Sequence, residues 1–389
     1  MKKFIYLSMA LLLLFVTDIC FAEIKQDEQD PVAQYQTGVK YLIGDGVKQN
    51  FVQAESWFKK SANQGNKDAQ YELASLYASG RGDVRQSDKA AFDLYKKAAE
   101  QEHGEAKYYL GEMYQNARAT EKNDELALKY YKESAAYGYV EAQYTMGELY
   151  YTGTLVKQDY SEAYRWFQKA AEQNDKRAQF RLASMLQEGK GTDINTEKAF
   201  DLYKKSAEQG YAPAQNALGD VYYDKGNYTA AIENYQAAAN QGISDAQFSL
   251  GYIYYEGEVV ANNFPVALEY FTRALAGGNT DSYYMLGMMY YNGYYVKQDY
   301  KTALEYFKDY EEISHDSDAQ YMIGCMYENG QGVDKDTEKA KIWLNKAKEQ
   351  GNKEAEIKYN EIVYKQVLSR EFNLSNDDFS SIKTKNNQK

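Results

Sequence analysis

Apolar residues recur along most of the chain at the spacing of one face of an α-helix. In AQYTMGELY (142–150), alanine at the first position, methionine at the fifth and leucine at the eighth are separated by four and then three residues. Residues spaced i, i+4 and i+7 lie on one side of a helix. A second segment follows, with an alanine and usually an aromatic residue four positions later, as in Ala163 and Phe167. The pattern therefore predicts pairs of helices joined by short loops.

The first segment of this pattern occurs nine times. The predicted repeats start at residues 33, 69, 106, 142, 178, 214, 246, 282 and 319, so successive starts lie 32 to 37 residues apart. A sustained period of about 20–50 residues is typical of stacked repeats. We therefore predict an all-α fold, an α/α solenoid in which helix-turn-helix repeats covering 33–354 form a right-handed superhelix.

Three positions of the repeat carry structural signals. Position 6 of the first helix is always glycine or alanine. Glycine inside a helix costs about 0.5–1 kcal/mol relative to alanine, so we expect a neighbouring helix to approach closely there. A glycine at position 12 predicts the end of the first helix. The Asp or Asn of VKQDY (156–160 and 296–300) and VKQNF (47–51) is the predicted N-cap of the second helix.

The two ends of the chain differ from the repeats. A basic start, an apolar run at 4–16 and small residues up to Ala22 predict a signal peptide at 1–22. The run is shorter than the roughly 20 residues that span a bilayer. We predict a polar segment at 23–32, no transmembrane segment after cleavage, and export to a bacterial periplasm or beyond. At the other end we predict a capping helix at 355–371 and a disordered tail at 372–389.

Composition narrows the possible functions. The chain has 389 residues and a net charge of −12, which opposes nucleic-acid binding. Cleavage of the signal peptide would leave Cys325 as the single cysteine, so we predict no internal disulfide and a buried, inert thiol. His103 and His315 fall in loops between repeats, without a metal-ligand spacing or a nucleophile, and are predicted to be solvated. No catalytic residue, metal or cofactor is predicted.

The repeat resembles the Sel1-like repeat family, which is related to tetratricopeptide repeats. The resemblance is carried by AQYTMGELYYTGTLVKQDYSEAYRWFQKAAEQ (142–173) and AQYMIGCMYENGQGVDKDTEKAKIWLNKAKEQG (319–351). The sixth repeat (214–245) has a shorter loop and is similar to an ordinary tetratricopeptide unit. The third has NARATEK (116–122) in place of the glycine-rich loop. The resemblance implies a non-catalytic scaffold or adaptor that binds peptides or proteins, in a bacterial envelope or in host interaction.

Positions 4, 7 and 11 of the first helices, here called the first-helix stripe, vary between repeats and would line the concave face of such an array. The stripe is largely charged in repeats three to six and apolar in repeats seven to nine. Methionine re-packs easily, which suits a peptide groove. We predict that the groove residues contact the partner; these are Tyr252, Met285, Met288 and Met322.

Two alternatives stay open at this stage. The methionines could simply fill gaps between helices. The protein could also be a hydrolase, directed for example at cell walls or β-lactams, with a site assembled across repeats that leaves no linear motif. The association with β-lactams belongs to cysteine-rich members of the family with a disulfide in each unit, which this chain lacks.

Overall fold

The structure, a computed structural model, describes residues 29–372, and this range contains nineteen α-helices and no β-strand. The predicted signal peptide and residues 373–389 of the predicted tail lie outside the described residues. The helices are α1 (Pro31–Ile43), α2 (Phe51–Asn63), α3 (Lys67–Ser79), α4 (Asp88–Glu100), α5 (Gly104–Gln115), α6 (Asp124–Ala136), α7 (Val140–Thr152), α8 (Tyr160–Glu172), α9 (Lys176–Glu188), α10 (Thr196–Glu208), α11 (Ala212–Asp224), α12 (Tyr228–Asn240), α13 (Ser244–Glu256), α14 (Phe264–Ala276), α15 (Asp281–Asn292), α16 (Tyr300–Ser314), α17 (Ser317–Asn329), α18 (Thr337–Glu349) and α19 (Lys353–Phe372).

The first eighteen helices form nine successive pairs, numbered here 1 (α1 and α2) to 9 (α17 and α18), and α19 follows. They belong to two compact units that divide after Ser206, within α10. From α1 to α9 in the first unit, and from α11 to α19 in the second, each helix packs against the next one along the chain. The prediction of an all-α solenoid is confirmed. No helix between residues 29 and 372 is both long and apolar enough to cross a membrane.

The recurring pentapeptide VKQDY caps two helix ends at once. In pair 4, Nε2 of Gln158 donates to the carbonyl oxygen of Tyr151, at the end of α7, over 2.9 Å. The carboxylate of Asp159 accepts from the N–H groups of Ser161 and Glu162, at the start of α8, over 2.9 and 3.0 Å. Gly153 ends α7 in the left-handed conformation, with φ of 77°. The predicted N-caps and helix stop are therefore confirmed, and the pentapeptide recurs because it joins two helices.

The predicted close approach at position 6 is also confirmed. A Cβ atom added to Gly147 would lie 2.5 Å from two ring carbons of Phe167, which is on α8 of the same pair. Phe167 is fully buried. The equivalent distances are 2.6 Å for Gly38 and Phe58, 2.7 Å for Gly219 and Tyr235, and 2.7 Å for Gly251 and Phe271. The absence of a side chain on the first helix thus makes room for the aromatic ring of the second.

A buried glutamine at position 2 of the first helices joins neighbouring pairs. Nε2 of Gln143, on α7, donates to the carbonyl oxygen of Ala135, on α6 of the preceding pair, over 3.3 Å. Its Oε1 atom accepts from Nε2 of Gln173, which follows α8, over 2.8 Å. The side chain therefore connects the ends of two successive second helices. The same position holds the buried residues Gln34, Gln70, Gln179, Gln247 and Gln320.

The last helix, α19, packs like another first helix. Ala355 and Ile362 are buried against the helices before it. Its opposite side carries Ile357, Tyr364 and Val367, which are 62%, 65% and 44% exposed. In pairs 1 to 9 a second helix covers this side of the first helix, and the described chain ends without one. The outer surface of α19 is thus a mixture of apolar and polar side chains.

Candidate partner-binding face

The structure places the four predicted groove residues at different depths in the second unit. Tyr252, on α13, is 41% exposed, and its ring stacks on Phe248 with centroids 6.4 Å apart. Met288, on α15, and Met322, on α17, are half-buried against the core of the last helices. Met285 is only 8% exposed and belongs to the core around Phe271. Tyr252 and the outer edges of Met288 and Met322 are therefore the accessible part of the predicted groove.

The burial of Met285 follows from helix geometry. Met285 at position 4 lies one turn before Met289 at position 8, on the same side of α15. Met289 is fully buried. Position 4 therefore adjoins the core side of α15, and the side chain of Met285 packs inward there. Met285 is one of the four residues predicted to contact the partner, and its burial leaves it inaccessible for such a contact, which corrects this part of the prediction.

The aromatic residue of the second helix explains part of the contrast along the stripe. In pair 6 the hydroxyl of Tyr235 donates to Asp220, at position 7 of the first helix, over 2.7 Å. In pair 2 the hydroxyl of Tyr95 lies 3.1 Å from Oγ of Ser75, also at position 7. A buried tyrosine hydroxyl needs a polar partner. In pairs 7 and 8 the second helix carries Phe271 and Phe307, which have no hydroxyl group. The residue at position 7 therefore does not have to be polar.

A pocket opens on the same stripe in the first unit. It has a volume of about 420 Å³ and lies chiefly between α3 and α5, with α4 behind them. We call it the tyrosine pocket. Its polar and aromatic lining consists of Tyr71, Glu72, Ser75, Ser79, Arg81, Tyr95, Tyr109, Glu112 and Arg118.

Three tyrosine rings form one wall of the pocket. The ring centroids of Tyr71 lie 6.0 Å from those of Tyr95 and Tyr109, and the rings of Tyr95 and Tyr109 stack at 5.4 Å. Burial raises the pKa values of Tyr71 and Tyr95 far above the ordinary tyrosine range. These hydroxyls therefore stay neutral, and the wall presents aromatic faces without negative charge.

Two half-buried carboxylates face the same space. Burial raises the pKa of Glu72, and the nearby carboxylate of Glu105 adds to the rise. No residue between 29 and 372 forms a hydrogen bond or ion pair with the Glu72 side chain. Burial also raises the pKa of Glu112, which accepts one hydrogen bond, of 3.3 Å, from the hydroxyl of Tyr108. Both carboxylates have lost water without gaining a basic side chain in direct contact.

The two arginines at the pocket, Arg81 and Arg118, differ in their contacts with the rest of the chain. Nη2 of Arg118 donates to the carboxylate of Asp88 over 2.5 Å and lies 3.5 Å from the carbonyl oxygen of Ala78. Arg118 comes from the loop of pair 3, where the sequence departs from the glycine-rich pattern. Arg81 is exposed at the loop that follows α3. Arg118 is therefore largely neutralised by Asp88, and Arg81 keeps its contact with water.

The prediction that His103 is solvated is wrong. The residue is 8% exposed and caps α5, with Nδ1 accepting from the N–H of Ala106 over 3.2 Å. Its ring stacks on Tyr71 at 4.7 Å, and Nε2 lies 3.4 Å from the carboxylate of Asp68. Burial lowers the pKa of His103, although the carboxylates of Glu105 and Asp68 oppose this. The histidine is the N-cap of α5, a place that Asn or Asp holds in pairs 1, 2, 5 and 9, and the ring of Tyr71 covers it.

His315 and Cys325 are the other residues that the sequence analysis considered for catalysis or metal binding. His315 is exposed in the loop between α16 and α17, as predicted. Cys325 is buried, and burial raises the pKa of its thiol, which fits the expected apolar role. Between residues 29 and 372 no group of three or more His, Cys, Asp or Glu side chains is arranged to hold a metal ion.

Sequence reasoning identified only part of the tyrosine pocket. It placed Glu112 on the stripe but did not single out Glu72, which occupies position 4 of the second repeat. Tyr95 is the aromatic residue four positions after Ala91 in the second-helix pattern, and Tyr71 belonged to no predicted site. A comparison of the repeats would have found Glu72, because it is the one acidic residue at position 4 of the predicted repeats. Glu112 is less distinctive, because Glu148 and Asp220 are also acidic at position 7.

Models of two repeat families match the chain. The Sel1 repeat model matches residues 31–66, 67–103, 104–139, 140–175, 176–211, 244–279, 280–308 and 317–352. A tetratricopeptide repeat model matches residues 216–261, which include most of the sixth predicted repeat. No curated protein matches the chain significantly.

Solved structures agree with the family models. A protective antigen present in uropathogenic Escherichia coli strains, with an SLR fold, is 30% identical, with a TM-score of 0.73; the similarity covers 88% of this chain and 82% of the antigen. A Sel1 repeat protein from Oxalobacter formigenes is 27% identical over 64% of this chain and 86% of its own, with a TM-score of 0.46. The eight matched repeats and the 30% identity with the antigen show that the chain belongs to the Sel1 repeat family.

Proposed function

We propose that the protein is an exported, non-catalytic scaffold that binds a peptide or protein segment along the first-helix stripe. One observation carries the proposal: the stripe offers accessible side chains of different chemistry in its two units. The first unit has the tyrosine pocket. The second has the exposed ring of Tyr252 and the half-buried Met288 and Met322. Helical repeats use such extended surfaces to bind partners.

In the second unit we propose that Tyr252, Met288 and Met322 contact the partner, while Met285 supports them from the core. A tyrosine ring supplies a rigid contact area with few rotatable bonds. The thioether side chains of methionine adapt their shape to an apolar partner residue. A few such anchors carry most of the binding energy at protein interfaces.

Photo-crosslinking from Tyr252 would test this contact. With p-benzoyl-phenylalanine at Tyr252, we expect crosslinked partner proteins in bacterial envelope extract. The same group at Ile342, which is 58% exposed on the second helix of pair 9, should give none. Met288→Ser combined with Met322→Ser should lower the crosslinking yield about tenfold or more, because interface anchors each contribute more than about 1 kcal/mol.

Three outcomes would count against the proposal. Equal crosslinking from Tyr252 and Ile342 would show that the stripe has no preference for a partner. An unchanged yield in the double serine variant, with unchanged helicity by circular dichroism, would remove the methionines from the contact. Recovery of the partner as cleaved fragments would favour the hydrolase alternative.

We propose export because residues 1–22 have the pattern of a signal peptide. The Escherichia coli relative is a protective antigen, which suits a bacterial envelope or host-interaction context. Expression of the full chain in a bacterium should yield a periplasmic protein whose intact mass corresponds to a start at Glu23. Leu12→Arg, which interrupts the apolar run, should leave the uncleaved chain in the cytoplasm. A periplasmic extract free of the protein, or an uncleaved wild-type chain, would contradict export by this segment.

A further inference from the structure

We infer that the tyrosine pocket of the first unit receives a lysine or arginine side chain of the bound partner. The inference rests on the proposed function and gives the partner a definite chemistry. It concerns Tyr71, Glu72, Tyr95, Tyr109 and Glu112, all in pairs 2 and 3.

The size and wall of the pocket suit an extended basic side chain. A volume of about 420 Å³ lies near the lower end of the range of small-ligand pockets, which leaves room for a long side chain. The neutral rings of Tyr71, Tyr95 and Tyr109 lie within 6.0 Å of one another, as measured between centroids. An aromatic face attracts a cation placed over it, and the methylene stem of lysine or arginine packs against apolar surface.

The carboxylates supply the complementary charge. Glu72 has no hydrogen-bond or ion-pair partner in the described part of the chain, and Glu112 has one weak donor, Tyr108. An ionised carboxylate removed from water is stabilised when a cation and its N–H donors come within hydrogen-bond distance. A bound ammonium or guanidinium group would thus supply hydrogen-bond donors to both carboxylates, which have one weak donor between them in the described chain.

Two arginines lie near these carboxylates without a hydrogen bond or ion pair to them. The charge of Arg81 lowers the pKa of Glu72, against the larger rise from burial. The charge of Arg118 likewise lowers the pKa of Glu112, again against the larger rise from burial. Arg118 is held by Asp88 at 2.5 Å, and Arg81 is exposed in the loop after α3. An anionic ligand would have to approach Glu72 and Glu112 while competing with Asp88 for Arg118. Because Asp88 holds Arg118 and Arg81 is exposed to water, while Glu72 has no partner in the described residues, a cationic occupant is favoured over an anionic one.

Selection from a random twelve-residue peptide library on the immobilised full chain tests the inference. The selection should run near 150 mM salt, where non-specific attraction to the acidic protein is screened. We expect lysine and arginine to be enriched among the peptides bound by the wild type. The enrichment should disappear with Glu72→Gln combined with Glu112→Gln. The affinity of a selected basic peptide should fall about tenfold or more, as expected when charge-assisted hydrogen bonds are lost.

A charge-matched control separates the pocket from the overall negative charge. Glu100→Gln combined with Glu125→Gln removes two carboxylates that are exposed on α4 and α6. This control should keep the enrichment of basic peptides. Both double variants should melt like the wild type, because none of the four carboxylates belongs to an ion pair of the described chain. Enriched peptides without basic residues, equal loss in both variants, or enrichment of acidic peptides would overturn the inference alone. A wild type that enriches no peptide would overturn the proposed function as well.

Discussion

Replacing Gly147 by leucine should lower the free energy of unfolding by about 1–3 kcal/mol, through overpacking. The Cβ atom alone would stand 2.5 Å from two carbons of the Phe167 ring, well inside contact distance, and leucine adds three more carbons. Phe167 is fully buried on α8, and protein interiors are close-packed, so the ring can move only by displacing its neighbours. The midpoint of urea unfolding, followed by circular dichroism, measures the effect.

Two companion variants assign the cause. Gln168→Leu introduces the same side chain at an exposed position next to Phe167 and should change the stability by no more than about 0.5 kcal/mol. In a Phe167→Ala background the leucine at position 147 gains the space that the ring occupied, so its cost should shrink or reverse. A double-mutant cycle measures this coupling. Purely additive effects, or an unchanged midpoint for Gly147→Leu, would contradict the packing explanation.

Pairs 2 and 5 show how much change position 6 accepts. They carry Ala74 and Ala183 in place of glycine, and both methyl groups are fully buried. The facing residues are Tyr95 and Tyr203, and the hydroxyl of Tyr203 donates to Gln187 over 2.9 Å. Alanine is therefore compatible with the fold, and we expect Gly147→Ala to cost less than leucine. No predicted repeat has a larger residue at this position.

The repeat itself could be predicted because its signals are local and recur nine times. The N-cap at Asp159 and the helix stop at Gly153 depend on a few neighbouring residues, so the sequence shows them directly. The close approach at Gly147 follows from one unfavourable residue kept in place within a helix. These features can be predicted without knowing which residues distant in sequence are in contact.

The accessible surface was harder to predict because it depends on contacts between pairs. His103 is buried since Tyr71, from the preceding pair, covers its ring. Met285 turns inward because position 4 borders the core side of α15. The tyrosine pocket combines Glu72 and Glu112 from two first helices with Tyr95 from a second helix. The sequence pattern of a single repeat does not show which residues of neighbouring pairs come into contact.

The glutamine at position 2 was not interpreted from the sequence, although it stands in most repeats. A polar residue on the buried side of a helix requires hydrogen-bond partners, and these lie in two different second helices. In pair 3 a different residue at position 2 also has a hydrogen-bond partner. Lys107 replaces the glutamine there, is 4% exposed, and donates to Glu133 over 2.7 Å. The position therefore calls for a donor that can reach the end of a neighbouring helix. In pair 8, Tyr283 holds this position, and its ring lies tilted against that of Tyr306, with centroids 6.2 Å apart.

Gln143→Leu should therefore destabilise the protein by about 1–2 kcal/mol, although leucine is more hydrophobic and of similar size. The change removes the hydrogen bond to Ala135, of 3.3 Å, and the acceptor that Gln173 uses at 2.8 Å. A net contribution near 1 kcal/mol is typical of each intramolecular hydrogen bond. The carbonyl of Ala135 keeps a bond of 3.1 Å from Gly138, and Gln173 keeps one of 2.9 Å to the Gly138 carbonyl, so neither group is fully orphaned.

The exposed Gln168→Leu variant is again the matched control, since it makes the same chemical change without a buried hydrogen bond between pairs. Its unfolding midpoint should stay close to that of the wild type. Hydrogen exchange adds a local measure: Gln143→Leu should speed exchange of amides at the α6–α7 junction more than of those in α1 and α2. If Gln143→Leu raises the midpoint, burial of the leucine outweighs both hydrogen bonds. The glutamines would then serve to align successive pairs rather than to stabilise them.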